Sequence, residues 1–281
     1  MEMVGADHLF KNSDHRFFYR AQKTTQNPSN TALIALHGFM GDHRTLSPSL
    51  SKISTCDVFY VDLPLFGNSD LPVEISTFDD YTRFLADRIK EISTNYTHIF
   101  IYGYSMGGRI GLNLLSHFPD IFSGAILESA QPGIESNEEK AKRRMLEQQW
   151  IDHISKDFDG FLTYWNNLKI LKPSRSLSQE KKQLLASVQG NQNAEQLIRS
   201  LKITGTGKMP SLWENLHTIP APLLLIAGED DPKYTHIAQK MQTKLLDAET
   251  IIFIESGHRV HLDQPQKLAE KITQFIDQHN I

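Results

Sequence analysis

The sequence predicts an α/β protein with a mostly parallel central sheet, helices on both faces and an inserted helical lid. Short apolar runs rich in β-branched or aromatic residues recur along the chain, and they have the length of buried strands. Segments with the apolar spacing of amphipathic helices lie between these runs, an alternation typical of a parallel sheet covered by helices. A long polar segment without such runs interrupts the alternation. The predicted strands are 31–36, 58–61, 98–102, 123–127, 223–227 and 250–254.

The helices between these strands are predicted from apolar residues that recur about every four positions, because this spacing places them on one helical face. Such faces follow the second, third and last predicted strands. Their apolar residues are Tyr81, Leu85, Ile89 and Ile92; Ile110, Leu114 and Phe118; and Leu268, Ile272 and Phe275 or Ile276.

The loss of the strand pattern divides the chain into a predicted core, residues 1–130 and 218–281, and a predicted lid, residues 131–217. The lid is rich in Gln, Asn, Lys and Glu, and glycine-containing turns at its end mark the return to the sheet. It is expected to hold three helical stretches: 138–154, one around Phe161 and Trp165, and 178–201.

Composition excludes several classes of protein. The 281 residues include 29 Lys and Arg against 33 Asp and Glu, so there is no strong positive field for a nucleic acid, and we expect no such partner. A single cysteine, Cys56, excludes an intrachain disulfide and a thiolate zinc site. The first residues are too polar for a signal peptide, and no apolar run reaches the roughly 18 residues of a membrane helix. We expect a cytoplasmic protein without membrane insertion.

The strongest local motif is Gly103-Tyr104-Ser105-Met106-Gly107, which follows a predicted strand and opens a predicted helix. This Gly-x-Ser-x-Gly pattern is typical of a nucleophile elbow, a sharp turn that exposes the serine hydroxyl. Glycines on either side let neighbouring backbone pass without a clash. The helix that follows points its N-terminus at the serine, so the N–H of Met106 is expected to stabilise an oxyanion.

A serine hydroxyl is activated when a histidine takes its proton, and the elbow predicts an acid and then a histidine further along the chain. Asp231 and His258 follow the last two predicted strands, at the ends where α/β folds place ligand sites. Asp231 is preferred over Asp230 because acids of this type stand three residues beyond a glycine, here Gly228. Asp230 is interpreted as a solvated turn or capping residue.

His37 ends the first strong strand in Leu36-His37-Gly38-Phe39. We interpret its side chain as holding this loop by hydrogen bonds, and the N–H of Phe39 is expected to be the second oxyanion donor.

Two further patterns have weaker chemical meaning. His258, His261 and Asp263 resemble a metal cluster, but a three-residue spacing without other histidines nearby is weak evidence for zinc, and we expect no metal. The segment 205–208 resembles a phosphate loop but lacks the upstream glycine and the preceding strand. It is interpreted as a turn.

These motifs, their order and the inserted segment resemble the α/β-hydrolase superfamily over essentially the whole chain. A narrower resemblance is to the lyase family of menaquinone biosynthesis that forms 2-succinyl-6-hydroxy-2,4-cyclohexadiene-1-carboxylate. Arg109 and a basic lid helix are more specific to this family than the elbow. The matching segments are 36–39, 103–109, 128–133, 138–143 with Gln149-Trp150, 228–231 and 257–261.

The narrower resemblance implies a cofactor-free lyase that eliminates pyruvate from 2-succinyl-5-enolpyruvyl-6-hydroxy-3-cyclohexene-1-carboxylate. Ser105, activated by His258 and Asp231, would act as the base that removes a ring proton beside the succinyl carbonyl. The N–H groups of Phe39 and Met106 would then hold the enolate oxygen.

The implied substrate carries three carboxylates, which planar guanidinium groups bind bidentately. Arg109 and Arg143 correspond to substrate-binding positions of the family, and Tyr104 and Trp165 to residues of its pocket. Without the resemblance, the arginines would be interpreted as solvated or salt-bridging side chains and the aromatic residues as ordinary packing.

The sequence departs from the family pattern at two places. A further arginine is usual in the third lid helix, but 187–190 contains none and Arg199 is displaced. At the centre of the loop 62–67, this sequence lacks the Gly-His-Gly that is frequent in the family.

Two other functions fit the same residues. An esterase or carbon–carbon bond hydrolase would use the same triad, and a non-catalytic ligand-binding protein can retain it. Haloalkane dehalogenases and epoxide hydrolases require an acid at the elbow, so Ser105 argues against both.

Overall fold

A computed structural model of the chain describes residues 6–12, 15–24, 29–173 and 176–280. It contains one sheet of eight strands in the order β1-β2-β4-β3-β5-β6-β7-β8. The strands are β1 (Ala6–Asn12), β2 (His15–Gln22), β3 (Thr31–Leu36), β4 (Asp57–Val61), β5 (His98–Tyr104), β6 (Gly124–Glu128), β7 (Leu223–Gly228) and β8 (Ala248–Phe253).

All six predicted strands are present, and they form the parallel part of the sheet from β4 to β8. The predicted fold class is therefore confirmed. The sequence analysis missed β1 and β2, which form an antiparallel hairpin at the edge beside β4. Charged residues interrupt this hairpin: Arg16 pairs with Asp70 and Arg20 with Asp7. These charges hide the continuous apolar run by which the inner strands are predicted.

Ten helices accompany the sheet within the described residues. They are α1 (Ser47–Leu50), α2 (Phe78–Ile92), α3 (Met106–His117), α4 (Asn137–Lys156), α5 (Phe158–Asn166), α6 (Gln179–Gly190), α7 (Ala194–Thr204), α8 (Pro232–Gln242), α9 (Val260–Asp263) and α10 (Pro265–His279). None of the described helices is both long enough and apolar enough to cross a membrane.

Helices cover both faces of the sheet because successive strand residues point to opposite sides. Along β3, Ile34 and Leu36 join a core with α2, α3 and α8, whereas Leu33 and Ala35 join a core with α1 and α10. The inner strands are consequently buried on both faces, as their apolar sequences indicate.

The lid segment lies between β6 and β7 and contains α4 to α7. The single helix expected over 178–201 is wrong, since this stretch forms two helices, α6 and α7. The break follows Gly190, and the side chain of Asn193 accepts a hydrogen bond from the N–H of Gln196 at 3.0 Å, which caps α7. Phe161 and Leu197 join the same core as α2 and α3, so apolar packing fixes the lid on the sheet domain.

Candidate active site

The elbow is a strained turn between β5 and α3. Ser105 adopts a positive φ of 50°, and its N–H donates to the carbonyl of Glu128 at 2.9 Å. The backbone passes so closely here that a Cβ on Gly107 would lie 2.2 Å from the carbonyl oxygen of Leu36. Glycine is therefore required at this position, and the turn places Ser105 at the carboxyl end of β5.

Three side chains that are far apart in the sequence form a hydrogen-bonded chain at this edge of the sheet. Nε2 of His258 lies 3.2 Å from Oγ of Ser105, and Nδ1 of His258 lies 2.6 Å from Oδ2 of Asp231. Asp231 follows β7 and caps α8, where its Oδ1 accepts from the N–H of Tyr234 at 3.4 Å. This order suits a hydroxyl activated by an imidazole that a buried carboxylate orients.

The neighbouring Asp230 has a different environment. Its side chain is exposed, and its N–H donates to the carbonyl of Ser256 at 2.9 Å.

The ring of His258 packs against two aromatic side chains, Tyr104 and Tyr234, with centroids 5.6 and 4.6 Å away. Both tyrosines are buried and limit the orientations of the imidazole.

His37 holds its loop by two hydrogen bonds, as predicted. Its Nδ1 lies 2.8 Å from the carbonyl oxygen of Gly38, and its Nε2 accepts from the N–H of Leu63 at 3.1 Å. Burial lowers the pKa of His37, although the Gly38 contact opposes this effect. The neutral imidazole therefore fits this position, with the proton on Nδ1.

A cavity of about 260 Å³ lies above the elbow, between the carboxyl edge of the sheet and the lid. Phe39 and Met106 contribute to its wall beside the serine. Met106 is the first residue of α3, and the first N–H groups of a helix have no partner within it. The position fits the role of oxyanion donor that the sequence predicts for the Met106 N–H.

Arg109 extends from α3 into this cavity with only 8% of its surface exposed. Its Nη1 donates to the carbonyl of Thr204 at 3.1 Å. Among the described residues, no carboxylate forms an ion pair with it. Burial, together with the charge of Arg143, lowers the pKa of Arg109 to about 10. A buried guanidinium without a carboxylate partner is suited to an anionic ligand.

Arg143 reaches the same cavity from α4. Its Nε donates to Oε1 of Glu147 at 2.7 Å, and its guanidinium lies 4.8 Å from the ring of Trp150. Glu147 also accepts from the N–H groups of Thr206 and Gly207, at 2.7 and 3.2 Å. The segment 205–208 is a turn, as predicted, and two of its N–H groups donate to this carboxylate.

Tyr104 and Trp165 also line the cavity. Trp165 packs edge-on against Phe39, with ring centroids 5.2 Å apart, and so connects the lid to the loop after β3. In the segment 187–190, where family members usually have a third arginine, Gln189 lines the cavity. Its side-chain amide exchanges hydrogen bonds with Asn166 at 2.9 and 3.0 Å.

Arg199 has a structural contact instead of a place in the cavity. Its guanidinium donates to the backbone carbonyls of Leu71 and Pro72, and the residue does not line the cavity wall. It therefore cannot replace the arginine absent from 187–190.

The alternative metal cluster does not assemble. Nδ1 of His261 lies 2.8 Å from Oε1 of Glu128, and Asp263 accepts from the N–H of Gly257 at 2.9 Å. Glu128 also accepts from the hydroxyl of Tyr102. His261 is thus part of a buried network under the site.

Sequence analysis missed Tyr234 and Glu147. Tyr234 contacts the His258 ring because it lies in the first turn of α8, three residues after Asp231, and the sequence carries no specific signal for that contact. Glu147 lies four residues after Arg143, and this spacing on a predicted helix could have indicated the pair.

The strand order, the elbow and the inserted lid define the α/β-hydrolase fold. Residues 33–271 match the model of the alpha/beta hydrolase family, and the chain belongs to this family.

Two relatives in sequence have names that are more specific than the family. A protein of Bacillus subtilis named putative 2-succinyl-6-hydroxy-2,4-cyclohexadiene-1-carboxylate synthase is 28% identical over 250 residues, covering 88% of this chain and 91% of the relative. The synthase of that name from Salmonella paratyphi C is 26% identical, covering 91% of this chain and 98% of the relative.

Two solved structures superpose on most of this chain. MenH from S. aureus superposes with a TM-score of 0.88 at 28% identity, covering 94% of this chain and 99% of that chain. An esterase from Exiguobacterium antarcticum has a TM-score of 0.78 at 17% identity, covering 96% of this chain and 98% of that chain. The esterase shares the fold alone.

Proposed function

We propose that this protein is a lyase of menaquinone biosynthesis that eliminates pyruvate from 2-succinyl-5-enolpyruvyl-6-hydroxy-3-cyclohexene-1-carboxylate. The product is 2-succinyl-6-hydroxy-2,4-cyclohexadiene-1-carboxylate. The names of the relatives from B. subtilis and S. paratyphi C support this reaction. The structural observation that carries the proposal is the buried guanidinium of Arg109, which forms no ion pair within the described part of the chain and lies in the same cavity as Ser105 and His258. A buried charge of this kind is expected for an anionic substrate, whereas hydrolysis of a neutral ester does not require it.

In this mechanism Ser105 is a base. Nε2 of His258 takes the hydroxyl proton while Oγ of Ser105 removes the ring proton beside the succinyl carbonyl, and Asp231 stabilises the imidazolium. The electron pair of the broken C–H bond moves onto the carbonyl oxygen. The N–H groups of Phe39 and Met106 are the expected donors to this enolate oxygen.

Collapse of the enolate completes the reaction without water. The electron pair returns through the ring, forms the second ring double bond of the product and breaks the bond between the ring carbon and the enolpyruvyl oxygen. Enolpyruvate leaves with that electron pair and becomes pyruvate when it takes up one proton. The reaction balances without a cofactor.

We assign two of the three carboxylates of the substrate to Arg109 and Arg143, which enter the cavity from the core and from the lid. Charge-assisted hydrogen bonds to guanidinium groups are stronger than neutral ones and fix the orientation of the ligand. Tyr104 and Trp165 form an apolar wall around the ring of the substrate. Residues 131–217 act as a lid that separates the reacting enolate from water.

The test is incubation of the purified protein with the enolpyruvyl substrate, with pyruvate measured by coupled oxidation of NADH by lactate dehydrogenase. We expect pyruvate release by the wild-type protein and loss of release in Ser105→Ala. Turnover of short nitrophenyl esters without pyruvate release would instead identify a hydrolase. Binding of the substrate with neither activity would identify a ligand-binding protein.

A further inference from the structure

The cavity contains a third guanidinium, that of Arg259, which has no role in the mechanism proposed above. Arg259 directly follows His258, lines the cavity and is partly buried. Among the described residues, no carboxylate forms an ion pair with it. The side chain of Arg259 lies against Tyr104. Burial raises the pKa of this phenol, and the Arg259 charge opposes that shift.

The charges around the cavity are unbalanced. Among the residues that the structure describes, three arginines line it, Arg109, Arg143 and Arg259, and the only lining carboxylate is that of Glu147. Glu147 already accepts hydrogen bonds from Arg143 and from the turn at 205–208. The remaining positive charge is available to a ligand with several carboxylates.

The three cations are divided between two places. Arg109 and Arg143 both lie at the end of α7, since Arg109 donates to the carbonyl of Thr204 and Arg143 donates to Glu147, which accepts from the N–H of Thr206. Arg259 belongs to the loop after β8, next to His258, and contacts Tyr104, whose ring packs against that imidazole. One carboxylate of a ligand can therefore lie beside the imidazole while others lie at the Arg109 and Arg143 pair.

The lid does not supply a further cation at this place. Gln189 stands on the α6 wall of the cavity, and its amide is engaged by Asn166. Arg199 is held by backbone carbonyls away from the cavity. Arg259 is the remaining lining cation among the described residues.

We propose that Arg259 binds the carboxylate of the enolpyruvyl group and so holds the leaving group beside His258. The inference rests on the proposed function. When the bond to the ring breaks, its electron pair passes to the enolpyruvyl oxygen. The ring proton is then on Oγ of Ser105, and the imidazolium of His258 carries the proton that it took from the Ser105 hydroxyl. A leaving group held at the neighbouring residue receives this proton and departs as pyruvate.

The test compares the substrate with the ring product, which lacks the enolpyruvyl carboxylate. Wild-type pyruvate release is measured first and decides the proposed function independently. In Arg259→Gln we expect the KM for the substrate to rise roughly 10- to 100-fold, the size of a lost hydrogen bond to a charged group. The inhibition constant of the ring product is expected to stay at its wild-type value, because this ligand has no group at Arg259.

Two further variants protect this test from a folding artefact. Arg259→Lys keeps the charge but not the planar fork, and we expect a KM between those of the wild type and Arg259→Gln. Arg83→Gln, on an exposed position of α2, removes one positive charge far from the cavity wall and should leave both constants unchanged. An unchanged KM in Arg259→Gln, or an equal loss of affinity for substrate and ring product, would overturn the inference while wild-type pyruvate release still supports the proposed lyase.

Discussion

Nη1 of Arg109 lies 3.1 Å from the carbonyl oxygen of Thr204, so the helix after the elbow and the last helix of the lid share a hydrogen bond. This contact satisfies part of the guanidinium, but its charge has no carboxylate partner among the residues that the structure describes. Burial of such a charge disfavours its ionised form, which agrees with the lowered pKa of about 10. We infer that this buried charge weakens the fold and that an anionic ligand supplies its partner.

Replacement of this charge separates its two effects. In Arg109→Met we expect kcat/KM for the enolpyruvyl substrate to fall roughly 10- to 100-fold, because hydrogen bonds to charged groups contribute about 1.5–3 kcal/mol. The melting temperature is expected to stay or rise, since an apolar side chain of similar volume costs less to bury than an uncompensated charge. Steady-state kinetics and thermal unfolding measure the two quantities.

Arg199→Met is the matched control. It removes an arginine that donates to the carbonyls of Leu71 and Pro72 outside the cavity. Here we expect a lower melting temperature and a kcat/KM close to that of the wild type. A loss of stability in Arg109→Met with no change in kcat/KM would show that Arg109 is structural.

The second prediction concerns the hydrogen-bonded chain of Ser105, His258 and Asp231. Ser105→Ala and His258→Ala are each expected to lower the rate of pyruvate release at least ~100-fold, because base catalysis contributes on the order of 100–10,000-fold. Asp231→Asn should lower it as well, since the amide cannot stabilise an imidazolium as a carboxylate does.

Asp230→Asn tests the choice between adjacent acids. Asp230 is exposed, whereas Asp231 lies 2.6 Å from Nδ1 of His258. We expect the Asp230 variant to retain wild-type turnover in the same assay. Equal losses in both variants would mean that the charge of the loop, and not the contact with His258, supports the reaction.

The sequence predicts the parts of this protein that depend on local rules. The elbow is visible because its glycines and its position between strand and helix are fixed by one sharp turn. Asp231 is visible because its distance in sequence from Gly228 is a property of one loop. Arg259 is different, because its place in the cavity depends on how the loop after β8 meets Tyr104 of another strand.

Two errors in the predicted fold arise from features that a local apolar pattern does not reveal. The hairpin of β1 and β2 is an edge structure in which Arg16 and Arg20 pair with acids, and these charges hide the apolar pattern. The division between α6 and α7 depends on the cap at Asn193. Gly190 and the polar residues 191–193 mark this break in the sequence, but they are a weaker signal than the helical patterns on both sides of it.

The third prediction follows from the buried imidazole of His37. Its pKa is lowered in the folded protein, chiefly by burial, so between about pH 6.5 and its folded-state pKa the unfolded chain binds a proton that the folded protein does not. The free energy of unfolding should therefore decrease as the pH falls through this window, by at most about 1.4 kcal/mol per pH unit for this one group. Urea unfolding between pH 8 and pH 5 measures the slope.

A histidine variant identifies the source of that slope. His37→Gln is expected to be less stable at every pH, because the bonds to Gly38 and Leu63 are altered, but to show a shallower dependence on pH. His236→Gln, at an exposed position of α8, should keep the wild-type slope. An unaltered slope in His37→Gln would assign the pH dependence to other groups.

The last prediction tests the steric requirement of the elbow. In Gly107→Ala the new methyl would lie 2.2 Å from the carbonyl oxygen of Leu36 and 2.7 Å from that of His37. Both atoms belong to backbone that cannot rotate away, so we expect a loss of about 1–3 kcal/mol or more in the free energy of unfolding. Gly190→Ala, where a Cβ meets nothing within 4 Å, should instead gain about 0.4–1 kcal/mol through the unfolded chain. Changes of opposite sign in urea unfolding are expected, and equal stability of the two variants would contradict the close approach of α3 to β3.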